Sequence, residues 1–245
     1  DKKESFNFKD INIPINILNM CYPTKDESDN IDFFYGKMGI NNIMTYKKDN
    51  YPSYRMYDFE YKDWVLQNNG RIFENDKIGK YSCKIKSICD AIKRSTGIVL
   101  VYSKYLDGGL LPMALALEEM GISRYSYSSH ATPFLKEQKP PLNALTMEPM
   151  KSGDKYSAKY CMITGTKAFS PNNNLDLEMI TNSQNMNGER IKVVMISEAG
   201  SEGIDFKYIR QVHILDPWYN MSRIEQVIGR AIRNKSHCLL PFEKR

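Results

Sequence analysis

No apolar run in the 245 residues approaches the roughly 18 that a helix needs to cross a bilayer; Gly97–Tyr102 and Leu110–Leu117 are the longest. The sequence offers no membrane partner. Cysteine is sparse: Cys21, Cys83, Cys89, Cys161 and Cys238 are odd in number, widely spread and without a C-x-x-C pair. With only His130, His213 and His237 beside them, no zinc-ligand spacing emerges, and a reducing compartment is the better expectation. The opening Asp1-Lys-Lys-Glu-Ser lacks the pattern of a secretory signal, so the protein is expected to be cytoplasmic rather than secreted, and the missing initiator Met suggests a piece of a longer protein.

Equally absent are a G-x-x-x-x-G-K-[ST] phosphate loop and an Asp-Glu pair after an apolar strand that could hold magnesium. Gly165-Thr-Lys167 lacks both the upstream glycine and the following hydroxyl, so no complete nucleotide-hydrolysing site is encoded here. The G-x-G-x-x-G fingerprint of a dinucleotide-binding fold is missing as well. Charge is not lopsided: 34 Lys and Arg against 29 Asp and Glu give +5, which permits an anionic partner without requiring one.

What is present has a clear division. Residues 1–80 are polar, rich in Asn, Tyr and Lys, and read as an arm or the end of a preceding lobe; their one regular signal, Ile11-Asn-Ile-Pro-Ile-Asn-Ile17, alternates at period two and predicts an edge strand interrupted by Pro14. From residue 81 to 245 strands and helices alternate. Ile85, Ile88, Cys89 and Ile92 fall on one face of a helix. Strands are predicted at 98–102, 160–164, 191–196 and 211–215, with helices from Gly108-Gly109 to Gly121, at 175–183 and at 222–233. That rhythm predicts an α/β domain with a parallel sheet flanked by helices. It breaks between about 128 and 157, where Pro133, Pro140, Pro141 and Pro149 exclude long regular elements. The insertion reads as a solvated surface loop, or else as a basic loop that contacts a nucleic-acid backbone.

Two C-terminal stretches carry candidate chemistry. Ser197-Glu-Ala-Gly-Ser-Glu-Gly-Ile-Asp205 follows a strand; Gly200 and Gly203 would let its backbone turn and offer N–H groups to an anion, with Ser197 and Ser201 adding hydroxyls. By itself it is also an ordinary strand-to-helix turn. In Gln226-Val-Ile-Gly-Arg230-Ala-Ile-Arg233, Ile224, Val227, Ile228, Ala231 and Ile232 form an apolar face, and Gln226, Arg230 and Arg233 gather on the other side. Guanidinium forks and an amide suit a phosphate chain, although a solvated helix has the same pattern. Gly229 costs such a helix about 1 kcal/mol relative to Ala, which suggests close approach of something to the backbone. His213, inside an apolar strand, reads as a core residue and Trp218 as packing.

In this order the two stretches resemble motifs V and VI of superfamily 2 helicases and translocases, and Ile98-Val-Leu-Val-Tyr-Ser103 is similar to motif IV. His213-Ile-Leu-Asp-Pro-Trp-Tyr-Asn220 resembles the segment before motif VI in Swi/Snf-type translocases. The run from Gln211 to Asn234 looks closer still to helicase-like ATPases of large cytoplasmic DNA viruses, the group of poxvirus early transcription factor small subunits and their mimivirus or asfarvirus relatives. The resemblance covers about residues 80–245. It implies a second RecA-like lobe of a nucleic-acid-dependent ATPase, using ATP with magnesium held by an N-terminal RecA-like lobe of the same protein. Arg233 would be the arginine finger with Arg230 beside it, and Gln226 would touch the γ-phosphate or attacking water. Gly203, Asp205 and Glu202 would line the nucleotide. Ser103, Thr164, Gly165, Ser197 and Ser201 would face a DNA or RNA backbone. Viral transcription proteins are implied partners, and a viral factory or virion the implied location. Val227 stands where many relatives carry arginine. The lobe alone is expected not to hydrolyse ATP. The alternative is a non-catalytic RecA-like scaffold in a transcription complex.

Overall fold

The computed structural model describes residues 8–25, 30–49, 55–127, 132–201, 203–217, 221–232 and 236–244. Along the chain run α1 (Phe8–Asn19), α2 (Gly36–Ile43), β1 (Met44–Asp49), β2 (Arg55–Tyr61), α3 (Asp63–Asn68), α4 (Cys83–Arg94), β3 (Ile98–Tyr102), α5 (Leu111–Glu119) and β4 (Ser123–Tyr125). Then follow β5 (Lys159–Ile163), α6 (Asn173–Thr181), β6 (Val193–Ile196), β7 (Ile209–Ile214) and α7 (Met221–Ala231). Five strands form one sheet in the order β4-β5-β6-β3-β7, and every neighbouring pair is parallel. This is the helix-flanked parallel sheet that the alternation predicts, and it fits the RecA-like lobe that the resemblance implies. β1 and β2 pair separately as an antiparallel hairpin.

Alternation along the strands sorts the helices onto the two faces. Val99, Val101, Tyr160, Met162, Val193 and Met195 point into a core shared with α4, α5 and the N-terminal segment. Their neighbours Ile98, Leu100, Cys161, Ile163, Val194 and Ile196 point into a second core with Ile180 of α6 and Val227 and Ala231 of α7. Strands buried on both faces read as continuous apolar runs, which is why β3, β5 and β6 are legible. α4 begins where Ser82 accepts a hydrogen bond from Ile85 N at 3.0 Å and ends with Lys93 and Arg94 in its last turn. A π-turn spans Leu106–Leu110, so the helix expected directly after Gly108-Gly109 starts at Leu111. Gly121, with φ +90, closes it.

Residues 11–17 are not a strand. They lie within α1, which tolerates Pro14 on its exposed side. The physical reason is that this helix turns its asparagines inward. Asn12, Asn16 and Asn19 recur at helical spacing: Asn12 Oδ1 accepts from Tyr105 OH at 2.6 Å, Asn16 is buried, and Asn19 Nδ2 donates to Asp216 Oδ1 at 3.3 Å. The isoleucines fill gaps on the flanks and mimic a strand period.

The insertion is a second correction. Its lysines 136, 151 and 155 are exposed, but Phe134, Leu135, Ala144 and Met147 are buried in the first core. Phe59 N donates to Phe134 O at 2.7 Å and Lys136 N to Phe59 O at 3.1 Å, so the segment adds to β2. Two adjacent carboxylates of the fully buried α5 hold this side together. Glu118 accepts from Phe134 N (2.9 Å), Leu135 N (2.7 Å) and Tyr160 OH (2.6 Å). Glu119 accepts from Arg71 Nε at 3.0 Å and Tyr61 OH at 3.1 Å. Burial pushes the Glu118 carboxyl above its ordinary range, against the pull of those three donors.

Glu118→Ala leaves three buried donors without an acceptor, each costing about 1–3 kcal/mol. Urea unfolding of the variant is therefore expected to show a loss of at least about 3 kcal/mol, whereas a loose surface insertion would lose almost nothing.

Candidate functional site

Parallel strands deliver their C-terminal ends to one edge, and the register makes that edge straight. Tyr102 is level with Ile196 and Ile214, and Ile163 with Ile196, so Ser103, Thr164, Ser197 and Leu215 stand in one row. Ligands of open α/β sheets bind at this edge. Three sequence-predicted residues are thus brought together, but their hydroxyls turn inward. Ser103 Oγ bonds the Asp216 carboxylate. Thr164 Oγ1 meets Ser170 Oγ at 2.7 Å. Ser197 Oγ accepts from Gly200 N at 3.1 Å. All three serve to fold their own loops in this conformation. Gly165, Thr166 and Lys167 are exposed instead, beside a cleft of about 460 Å³ at the start of α6.

The loop after β6 makes a short 3₁₀ turn, Ala199–Ser201. Gly200 is there for packing rather than to present N–H groups: a Cβ on it would lie 2.1 Å from Ile163 O and 2.7 Å from Thr164 Cα. A Cβ on Gly165 would lie 2.8 Å from that of Ala199, so the two glycine loops are pressed together. Gly203 is exposed with φ +70 and open space around it, as a ligand-facing turn requires. Asp205 is exposed next to it. Glu202 and the side chain of Ser201 lie outside the described residues.

α7 seats only Val227 and Ala231 fully in the core. Ile228 and Ile232, expected on the same buried face, are 36% and 65% exposed, because the helix rests on the sheet along a narrow line. Gln226 is exposed and Arg230 half-buried on the polar stripe. Arg230 Nη1 is shielded from solvent and has no hydrogen-bond partner among the described residues, an expensive state for a guanidinium unless something arrives to meet it. Its carbonyl accepts from Phe206 N at 3.1 Å, which ties the helix to the end of the glycine loop. Nothing lies within 4 Å of a Cβ placed on Gly229, so the described fold does not itself require glycine there. Arg233 and Trp218 lie outside the described residues. Sequence reasoning missed Arg223, which helical spacing places on the stripe of Gln226 and Arg230; it pairs with Glu198 at 2.6 Å.

The helicase conserved C-terminal domain family matches residues 154–235, a span that holds both glycine loops and the arginine stripe. A protein of African swine fever virus named as a termination factor NPH-I homolog is 29% identical over 245 aligned residues, covering 94% of this chain and 33% of that protein. Nucleoside triphosphatase I of Melanoplus sanguinipes entomopoxvirus is 31% identical over 171 residues, covering 69% of this chain and 21% of its own length. A second nucleoside triphosphatase I, from Choristoneura fumiferana entomopoxvirus, reaches 49% over 70 residues, 29% of this chain and 11% of that one.

The chain is similar to helicase C-terminal domains over residues 154–235.

It spans about a third of the length of the African swine fever virus relative. Because that likeness runs over 94% of the chain, most of residues 1–80 share it, beyond the 80–245 that the motifs suggested. The sheet domain is fastened to this N-terminal segment at Asp216, the other residue the sequence reading overlooked. Asp216 accepts from Ser103 Oγ, from Lys104 N at 2.8 Å and from Asn19 Nδ2 at 3.3 Å, while Lys84 Nζ donates to Asn19 Oδ1 at 3.0 Å. A carboxylate ending an apolar strand just before Pro217 was the available signal. Burial raises its pKa to about 6 despite those donors.

The sign of the linkage follows. A carboxyl whose folded pKa lies above its ordinary 3.8 favours folding when protonated, so this group's contribution declines as pH rises from about 4 to about 6 and is flat beyond. Its full span is up to about 3 kcal/mol. Denaturant unfolding at pH 4, 5, 6 and 7 is expected to show that slope in the wild-type-minus-Asp216→Asn difference; equal slopes in both proteins would contradict it. The glycines make a second, opposite pair. Gly229→Ala is expected to leave unfolding unchanged or raise stability by up to about 1 kcal/mol, whereas Gly200→Ala forces backbone apart and should destabilise by about 1–3 kcal/mol.

Proposed function

We propose that this chain is the nucleotide-closing C-terminal lobe of a nucleic-acid-dependent ATPase of the superfamily 2 helicase or translocase type, acting in viral transcription. The observation that carries it is Arg230 on the polar stripe of α7, whose Nη1 is shielded and without a partner among the described residues, while its carbonyl meets Phe206 N at the end of the glycine loop. Side chains at a sheet's C-terminal edge that lack an internal partner fit a phosphate chain approaching from outside. The relatives' names, a nucleoside triphosphatase and a termination factor, support the same reading. No helix among the described residues is long and apolar enough to cross a membrane, and the viral relatives support a viral factory or virion as the place of action.

In this reading ATP with magnesium, held chiefly by the N-terminal lobe, supplies the phosphoryl group. The ion's carboxylates are assigned in this reading to the other lobe. The residues here orient and neutralise. Arg233 acts as the arginine finger, Arg230 stabilises charge beside it, and Gln226 positions the γ-phosphate or the attacking water. Gly203, Asp205 and Glu202 line the ribose and phosphate side. The exposed Gly165–Lys167 turn, with the loops built by Ser103, Thr164, Ser197 and Ser201, follows the DNA or RNA backbone without reading bases. Closing and opening of the lobe would then advance it along the strand.

The full-length protein should hydrolyse ATP faster with nucleic acid, and Arg233→Ala should cut turnover about 10³-fold or more. The polymer that stimulates, single- or double-stranded DNA or RNA, names the substrate. Turnover that is absent, or indifferent to Arg233 and Arg230, would leave a scaffold.

A further inference from the structure

α7 brings its polar stripe to the edge with few anchors: Val227 and Ala231 in the core, and Phe206 N on the Arg230 carbonyl toward its C-terminal end. Toward its other end stands the ion pair of Arg223 Nη1 with Glu198 Oε1 at 2.6 Å, the two side chains 44% and 42% exposed. Glu198 directly follows β6 and Ser197, at the root of the glycine loop. Tyr102, ending β3, lies close enough to feel the charges of Glu198, Arg223 and Arg230 together, so these groups share one small region. Arg223 and Arg230 are seven residues apart, about 10 Å along a helix axis. A helix tied at both ends of that span to one loop cannot rotate or slide without carrying the loop along.

We infer that Glu198 and Arg223 form a positioning pair that indexes the arginine-bearing helix to the glycine loop, so that Arg230 and the nucleotide-lining residues close as one unit. The pair acts through Arg230 and not on the nucleotide itself. Exposed ion pairs contribute little to stability, so its place between two ligand-facing segments, rather than stability, gives it a use. This inference rests on the reading of the lobe as nucleotide-closing.

The test is steady-state ATP hydrolysis by the full-length protein with stimulating nucleic acid, for Glu198→Gln, Arg223→Ala, the charge exchange Glu198→Arg with Arg223→Glu, and Arg230→Ala as reference. Misplacing a catalytic group by a fraction of an ångström costs rate more than binding, so each single variant should lower kcat about tenfold to a hundredfold. KM for ATP and the Tm should stay near wild type. The exchange should recover most of the lost kcat, because an ion pair that positions works in either polarity. Single variants with unchanged kcat, while Arg230→Ala is inactive, would overturn the pair but leave the nucleotide-closing reading intact. Loss without recovery in the exchange would overturn it too, showing that Arg223 acts on the ligand directly. If Arg230→Ala hydrolyses normally, the nucleotide-closing reading fails, and the pair with it.

Discussion

The carboxylate of Asp216 joins three stretches of chain that are far apart in sequence, and the ligand-facing edge depends on that junction. It ends the turn after β7, takes hydrogen bonds from Ser103 and Lys104 after β3, and reaches Asn19 at the end of α1. A buried carboxylate is costly unless donors surround it. Here the donors come from the end of β3 and from α1, so the cost is offset only when both segments are in place together. The strand ends that carry the candidate site are therefore fixed by the same interaction that docks the N-terminal helix. Glu118 and Glu119 of α5 repeat the arrangement on the other side, gathering the insertion through Phe134 and Leu135 and the arm through Arg71 and Tyr61.

Such junctions explain why residues 8–80 pack into the sheet domain's first core rather than trail from it. Ile40, Ile43, Val65, Ile72 and Phe73 are buried with Val99 and Met162. Apolar side chains alone would dock the segment in many registers, because the hydrophobic effect is non-directional. The buried polar contacts select one.

The sheet was legible because β3, β5 and β6 are buried runs separated by helical spacings, and because a parallel sheet leaves few topologies. The motif loops were legible from glycine and arginine spacing. What escaped was whatever depended on polar burial. α1 looked like a strand since its isoleucines alternate, while the asparagines that decide its conformation have no apolar signature. The insertion looked solvated because of its lysines and prolines, and a loop's contacts to Glu118 leave no local pattern. β4 is three residues long and half-buried, too short for any period. Gly200 was read as a ligand-facing glycine when its neighbour is the backbone of Ile163 and Thr164; a sequence cannot distinguish a glycine needed for packing from one needed for a ligand.

That distinction bears most on α7. A stable solvated helix would not place a glycine in open space at Gly229, leave Ile232 exposed at its end, or shield one nitrogen of Arg230 without a partner. Each breaks a local rule of helix stability or polar satisfaction, and all three occur on the same short element. Other shielded polar atoms also lack a partner among the described residues, Tyr22 OH and Asn173 Oδ1 among them, but of these atoms only Arg230 Nη1 belongs to a charged group. Local rules fail together where a surface is completed by something else. The arginine stripe, the open glycine and the exposed isoleucines are then one surface with polar and apolar parts. In the proposed reading the completing partner is the nucleotide-bearing lobe, and α7 keeps this surface open at a cost to its own stability.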